Sequence, residues 1–149
     1  MISVESPKIT KLKSYIEVNK LDARSRIEEI FLQEFSIIKA KFHFVDIPAP
    51  SLLTSQEEFI SNPGVYIFYS GEKVIKVGRH LINSRKRAWQ HIQDNTKNDY
   101  FEMKSLKTDP LANVFLINLK DPKDFHWSAA VEIFLEINLN PLIRSKRLG

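Results

Sequence analysis

Apolar positions recur at helical spacing through the first forty residues and at alternating or continuous spacing in short runs afterwards. Ile9, Leu12, Tyr15 and Ile16 form one such stripe. Ile27, Ile30, Phe31, Phe35 and Ile38 form a second, which predicts an amphipathic helix over roughly 22–40 with Glu28, Glu29 and Lys39 off the stripe. Lys41 to Ile47 alternates and carries aromatics, the pattern of an edge strand, and Pro48-Ala49-Pro50 ends it. Thr54 to Glu57 reads as a capping box and predicts a short helix stopped by Asn62-Pro63. Val65 to Tyr69 is a strand of aromatic and β-branched residues, Gly71 marks a turn, and Lys73 to Val77 is the partner strand. Asn83 or Ser84 caps a helix running to about Asp94, and a polar loop from Asp94 to Asp99 leads into a weakly helical stretch near 100–108. Asn113 to Leu119 is a further strand, and Ser128 caps an apolar helix that runs to about Asn138 and ends before Pro141. The second part of the chain therefore reads as a compact α+β unit behind a helical N-terminal extension, with no internal repeat.

Composition narrows the classes. A chain of 149 residues, 43% hydrophobic and 27% charged, has the make-up of one soluble globular domain with a small appendage. With no Cys there is no disulfide, thiol chemistry or zinc finger, and the 4 Gly leave no glycine-rich phosphate loop. The N-terminus lacks an apolar signal core, and no apolar run approaches the roughly 20 residues of a membrane helix, so the expectation is a cytoplasmic protein with no membrane partner. Charge is unevenly divided. Residues 1–62 carry 8 Lys+Arg against 9 Asp+Glu, a net of −1, whereas residues 63–149 carry 14 against 9, a net of +5. The basic half attracts polyphosphate backbones.

That half also holds the chemistry. Tyr66 is a candidate general base, although an unperturbed phenol titrates near pH 10 and needs a cation beside it to act at neutral pH. Lys76 is the candidate cation, provided that it shares a face with Tyr66. A two-residue turn at Gly71-Glu72 pairs Tyr66 with Val77 and turns Lys76 away; a three-residue loop, Ser70 to Glu72, sets Tyr66 opposite Lys76, about 5 Å apart at Cβ. Shared chemistry requires the second register, which is the expectation. Arg87 and His91 lie four apart on a helix and share a face, an arrangement suited to a phosphate. Arg79, Arg85, Lys86, Arg144, Lys146 and Arg147 add positive charge around them as candidate nucleic-acid contacts. His43, His80 and His126 have no metal-ligand spacing and read as structural or surface residues. Glu132 sits in a helix that is apolar almost all round. A buried carboxylate costs several kcal/mol without a partner, so it pairs with a cation or holds a metal. Glu136, one turn on, is either an alternative ligand or an exposed edge.

Gly64-Val65-Tyr66, then Lys76-Val77-Gly78, then Arg87 with His91, then Glu132 with Pro141 nine residues later resembles, in that order, the GIY-YIG nuclease family over roughly residues 62–144. Lys76 stands where the second tyrosine of the family name falls, as it does in some restriction-endonuclease members. Arg144 stands where an Asn often follows the Pro. The resemblance implies a three-stranded antiparallel sheet flanked by helices over 62–149. Residues 1–61 carry no such motif, and the expectation for them is a helical extension that packs its apolar stripe on this unit or mediates a homodimer contact. The resemblance also implies an endonuclease that hydrolyses DNA phosphodiester bonds with Tyr66, Lys76, Arg87, His91 and Glu132 as catalytic residues. Glu132 would hold one Mg²⁺ or Mn²⁺. The alternative is a nucleic-acid-binding module on the same fold that has lost cleavage.

Overall fold

The side chain of Asp22 accepts a hydrogen bond from Ser25 N at 2.8 Å and starts α1 (Ala23–Phe35) in the computed structural model, which describes residues 22–145. The expected stripe at Ile9–Ile16, and the basic residues Lys146 and Arg147, lie outside the described residues. A 3₁₀ turn, Ser36–Lys41, replaces the last turn of the expected helix and delivers the chain into β1 (Phe42–Pro48). Beyond it come β2 (Gly64–Ser70), β3 (Lys73–His80), α2 (Ser84–Gln93), β4 (Ala112–Leu119) and α3 (Trp127–Leu139).

The four strands form one antiparallel sheet in the order β1-β4-β2-β3. The family pattern implies three strands, and the fourth is β1. It pairs with β4 from Phe42 opposite Leu119 to Pro48 opposite Asn113, so a segment of the N-terminal extension completes the sheet. One face of the sheet carries α1 and α3, with Ile27, Phe31, Val131 and Leu135 against Val65, Ile67, Phe115 and Ile117. The opposite face carries α2 and a 3₁₀ turn, Met103–Lys107, with Ala88, Ile92, Met103 and Leu106 against Phe68, Val114 and Leu116. Cover on both faces explains why β2 is apolar without alternation. Among the described residues, no helix is long and apolar enough to cross a membrane.

Two expected caps are not formed. The Thr54 hydroxyl donates back to Ser51 O instead of receiving the Glu57 amide, and Phe59 takes a left-handed φ of 57°, so residues 52–62 are turns and not a helix. Ser128 lies inside α3, buried in the stripe Ser128, Val131, Glu132, Leu135 and Glu136, while His126 occupies the cap position. The helix is not buried all round: Ile133 and Ile137 face outward, and both glutamates lie on its inner face.

The β2–β3 hairpin follows neither anticipated register. Ser70 pairs with Lys73 across the two-residue turn, and a bulge between Phe68 and Tyr69 shifts the ladder, so Phe68 faces Lys76 and Tyr66 faces Gly78. The bulge places one extra residue on β3, which restores Lys76 to the face that bears Tyr66. The loop expectation is thus corrected, but Lys76 keeps its place. β3 is an edge strand, and residues 141–145 run along it: Leu142 N donates to Val74 O at 3.1 Å, Ile143 N to Ile75 O at 2.8 Å, and Ser145 Oγ to Val77 O at 3.2 Å.

Candidate functional site

Both glycines that frame the hairpin are required by close approaches. A Cβ on Gly64 would lie 2.5 Å from Ile117 O and 2.7 Å from Asn118 Cα, so only hydrogen allows β2 to sit this close to β4. A Cβ on Gly78 would collide with Cε2, Cζ and the hydroxyl of Tyr66, whose ring lies flat over that residue. Held there, the Tyr66 hydroxyl is 2.8 Å from His91 Nε2, and His91 Nδ1 is 2.7 Å from Thr96 Oγ1. The α2 helix that brings His91 starts at Asn83, which caps Lys86 N at 3.0 Å, and Ser84 Oγ donates to Asn118 Oδ1, fastening its first turn to β4. Thr96 reaches His91 because Asn95 adopts a left-handed φ of 53° and the Thr96 amide donates to His91 O at 2.9 Å.

Electrostatics define what this pair does. Burial pushes the Tyr66 phenol well above its usual pKa; Arg87 beside it opposes that shift, and Glu132 adds to it. The His91 imidazole is pushed down to about 4, first by burial and then by the positive charges of Lys76 and Arg87. At neutral pH both groups are therefore uncharged. The phenol O–H donates to Nε2, and Nδ1–H donates to Thr96, a tautomer that satisfies both bonds. His80, expected to be structural, accepts from Asn83 N at 3.0 Å and Ile82 N at 3.3 Å and so fixes the β3–α2 turn at the rim of the same site.

The Glu132 carboxylate meets Arg79, whose Nη1 donates to Oε1 at 2.6 Å; the two side chains are 5% and 34% exposed. Arg79 is a candidate nucleic-acid contact from the sequence, and its alternation with Val77 directs it to the face covered by α3. Glu136 is buried rather than at an exposed edge and does not line the cleft; its Oε1 accepts the Ser145 amide at 2.6 Å, pinning the C-terminal segment.

Tyr66, Lys76, Arg87, His91 and Glu132 all line one cleft of about 740 Å³. Arg79 and Arg144 line it too, and so do Thr96 and Lys97, which sequence reasoning missed because their loop carries no periodic signal. Arg85 does not reach it. Two residues before Arg87, it turns to the other side of α2 and donates to Ser55 O at 2.9 Å and Ser61 Oγ at 3.1 Å. Lys86 is exposed outside the cleft.

The cleft's charge suits an anion. Five cationic side chains (Lys76, Arg79, Arg87, Lys97 and Arg144) surround a single carboxylate, and His91 adds no charge. A resident divalent ion does not fit this donor set. Magnesium needs at least one carboxylate and several waters, whereas Glu132 already accepts a short hydrogen bond from Arg79 in a positive surround. No group of three or more His, Cys, Asp or Glu able to hold a metal occurs among the described residues. No protein-family model, curated protein or solved structure matches the chain.

Proposed function

We propose that this cleft binds a DNA backbone phosphate and hydrolyses it, as a GIY-YIG-type endonuclease. The observation that carries the reading is the convergence of a neutral Tyr66–His91 pair with Arg87 and Lys76 in one positively charged cleft. Arg87 presents a planar fork of donors to the non-bridging phosphate oxygens and remains charged at any working pH. A water in line with the P–O3′ bond loses its proton to the Tyr66 oxygen as the phenol proton passes to His91 Nε2. This route avoids a free phenolate, which burial makes scarce. Bound phosphate offsets the charges of Lys76 and Arg87, the same charges that depress His91, so substrate raises the proton affinity of the acceptor when it is needed. The water oxygen bonds to phosphorus and the P–O3′ bond breaks; Lys76 supplies positive charge to the departing oxygen, which takes a proton from solvent to leave as the 3′-hydroxyl, and His91 returns its proton to solvent.

One observation favours the second reading, a binding module without cleavage: the Glu132 carboxylate is tied to Arg79. Incubation of supercoiled plasmid with Mg²⁺ or Mn²⁺ separates the two, comparing the parent with Glu132→Ala and Tyr66→Phe. Nicking by the parent that both variants lose supports hydrolysis. Intact plasmid with salt-sensitive binding by all three proteins leaves only the binding module.

A further inference from the structure

The cleft is cationic within and apolar at its lip. Lys76 is buried and Arg87 half-buried, whereas Leu81 and Ile82, which line the same cleft, are 46% and 73% exposed. A lone exposed aliphatic side chain is ordinary on any protein. Two in succession, held on a fixed turn at the mouth of a charged site, call for a reason. The turn is fixed by His80, whose Nδ1 accepts the Ile82 amide at 3.3 Å and the Asn83 amide at 3.0 Å, and Asn83 in turn caps α2. Burial first, then the charges of Arg87 and Lys86, lower the His80 pKa, so Nδ1 stays unprotonated and able to accept. The apolar pair is therefore presented in a set relation to Arg87, which lies at the start of that helix.

Phosphate gains nothing from an aliphatic surface, so the pair answers to another part of the ligand. In a stacked duplex the faces of the bases are hidden, and the outside offers only sugar, phosphate and base edges. An unpaired nucleotide exposes the flat apolar face of its base one sugar away from its phosphate. A cleft of about 740 Å³ has the size of a small-ligand site and takes such a nucleotide. We infer that the Leu81–Ile82 turn seats the base of an unpaired nucleotide whose phosphate lies on Arg87, so that the preferred ligand is single-stranded DNA. This rests on the reading of the cleft as a DNA phosphate site and deepens it by naming the form of the substrate. Phosphate contacts draw single and double strands alike, whereas contact with a base face is made only where stacking is absent or broken. Entry of the pair between the bases of an intact duplex must first unstack them, which favours strands that are already open.

Fluorescence anisotropy tests this with the full chain, a chelator to keep the DNA whole, and a short labelled strand used alone or annealed to its complement. The parent is compared with the double variant Leu81→Ser/Ile82→Ser and with Ile37→Ser, which removes an exposed apolar side chain outside the cleft. The parent is expected to bind the single strand at least roughly tenfold more tightly than the duplex. The double variant loses about that factor for the single strand alone, and its salt dependence is unchanged because no charge has been removed. Ile37→Ser binds both forms as the parent does. A strand built of abasic nucleotides binds the parent as weakly as the intact strand binds the double variant, and this comparison decides if the double variant fails to fold. Equal affinity of the parent for strand and duplex overturns the proposal. So does undiminished binding of the abasic strand, or a double variant that loses strand and duplex alike, because the turn then only shapes the cleft. Failure here is distinct from failure of the nuclease reading. Plasmid nicking that depends on Tyr66, with no strand preference, leaves hydrolysis standing; strand preference without nicking leaves the base seat on a binding module.

Discussion

Replacing Gly78 with Ala tests whether the tyrosine is placed by the glycine opposite it. The new Cβ would lie inside contact distance of three Tyr66 atoms, against a normal separation of about 3.5 Å, so the ring must retreat by on the order of 1 Å. A retreat of that size breaks the 2.8 Å bond from the hydroxyl to His91. The lost hydrogen bond costs about 1 kcal/mol and the overpacking about 1–3 kcal/mol, while the stiffer unfolded chain returns about 0.4–1 kcal/mol. Gly78→Ala is therefore expected to destabilise by roughly 1–3 kcal/mol. In a Tyr66→Ala background the obstruction is gone, and the same substitution becomes neutral or stabilising by up to about 1 kcal/mol. Urea unfolding of the four proteins, read from Trp89 and Trp127 fluorescence, yields the coupling directly. A coupling below about 0.5 kcal/mol means that the two residues act independently, and the account of Gly78 is wrong.

Gly64→Ala is expected to be worse, about 3 kcal/mol or more, because the added methyl meets Ile117 O and Asn118 Cα, backbone atoms that cannot turn aside. An unfolding midpoint equal to that of the parent refutes this. The low His91 pKa carries a pH signature. The folded state holds the imidazole neutral down to about pH 4, whereas the unfolded chain takes up a proton near 6.5, so stability is lost as pH falls from 6.5 toward 4. The ceiling for one such group is about 3 kcal/mol, and access of water through the cleft lowers it to about 1–2 kcal/mol. Subtracting the profile of His91→Gln isolates that slope; an NMR titration midpoint for His91 near 6.5 contradicts it.

Legibility in the sequence followed the range of the interactions. Arg87 and His91 shared a face because helical spacing alone decides it, and Asn83 announced the start of their helix through a local cap. The alternation of Lys41 to Ile47 marked a strand, yet nothing local said that β4 was its partner, because that pairing spans some seventy residues. The hairpin register failed for a related reason. The bulge on β3 lies beyond the turn, between the Phe68 and Tyr69 pairings, and it returns Lys76 to the face that bears Tyr66 by a route that loop length does not encode. Thr54 to Glu57 has the letters of a capping box, but Thr54 spends its hydroxyl on the preceding turn. The buried Glu132 was legible as a carboxylate in need of a partner. That its partner is Arg79 depends on where α3 crosses the sheet edge.

The five residues that run along β3 have a bearing on the protein's life in a crowded solution. An uncovered edge strand is a template for another chain, and residues such as Val74 and Ile75 are the kind that invite recruitment into aggregates. Leu142 and Ile143 occupy the Val74 and Ile75 carbonyls, while Asn98 grips Leu142 O at 2.8 Å and Glu136 grips the Ser145 amide. Ile143, Arg144 and Ser145 also form a wall of the cleft. Colloidal solubility and the shape of the site thus depend on one short stretch of backbone, and a lesion there costs soluble yield and binding together.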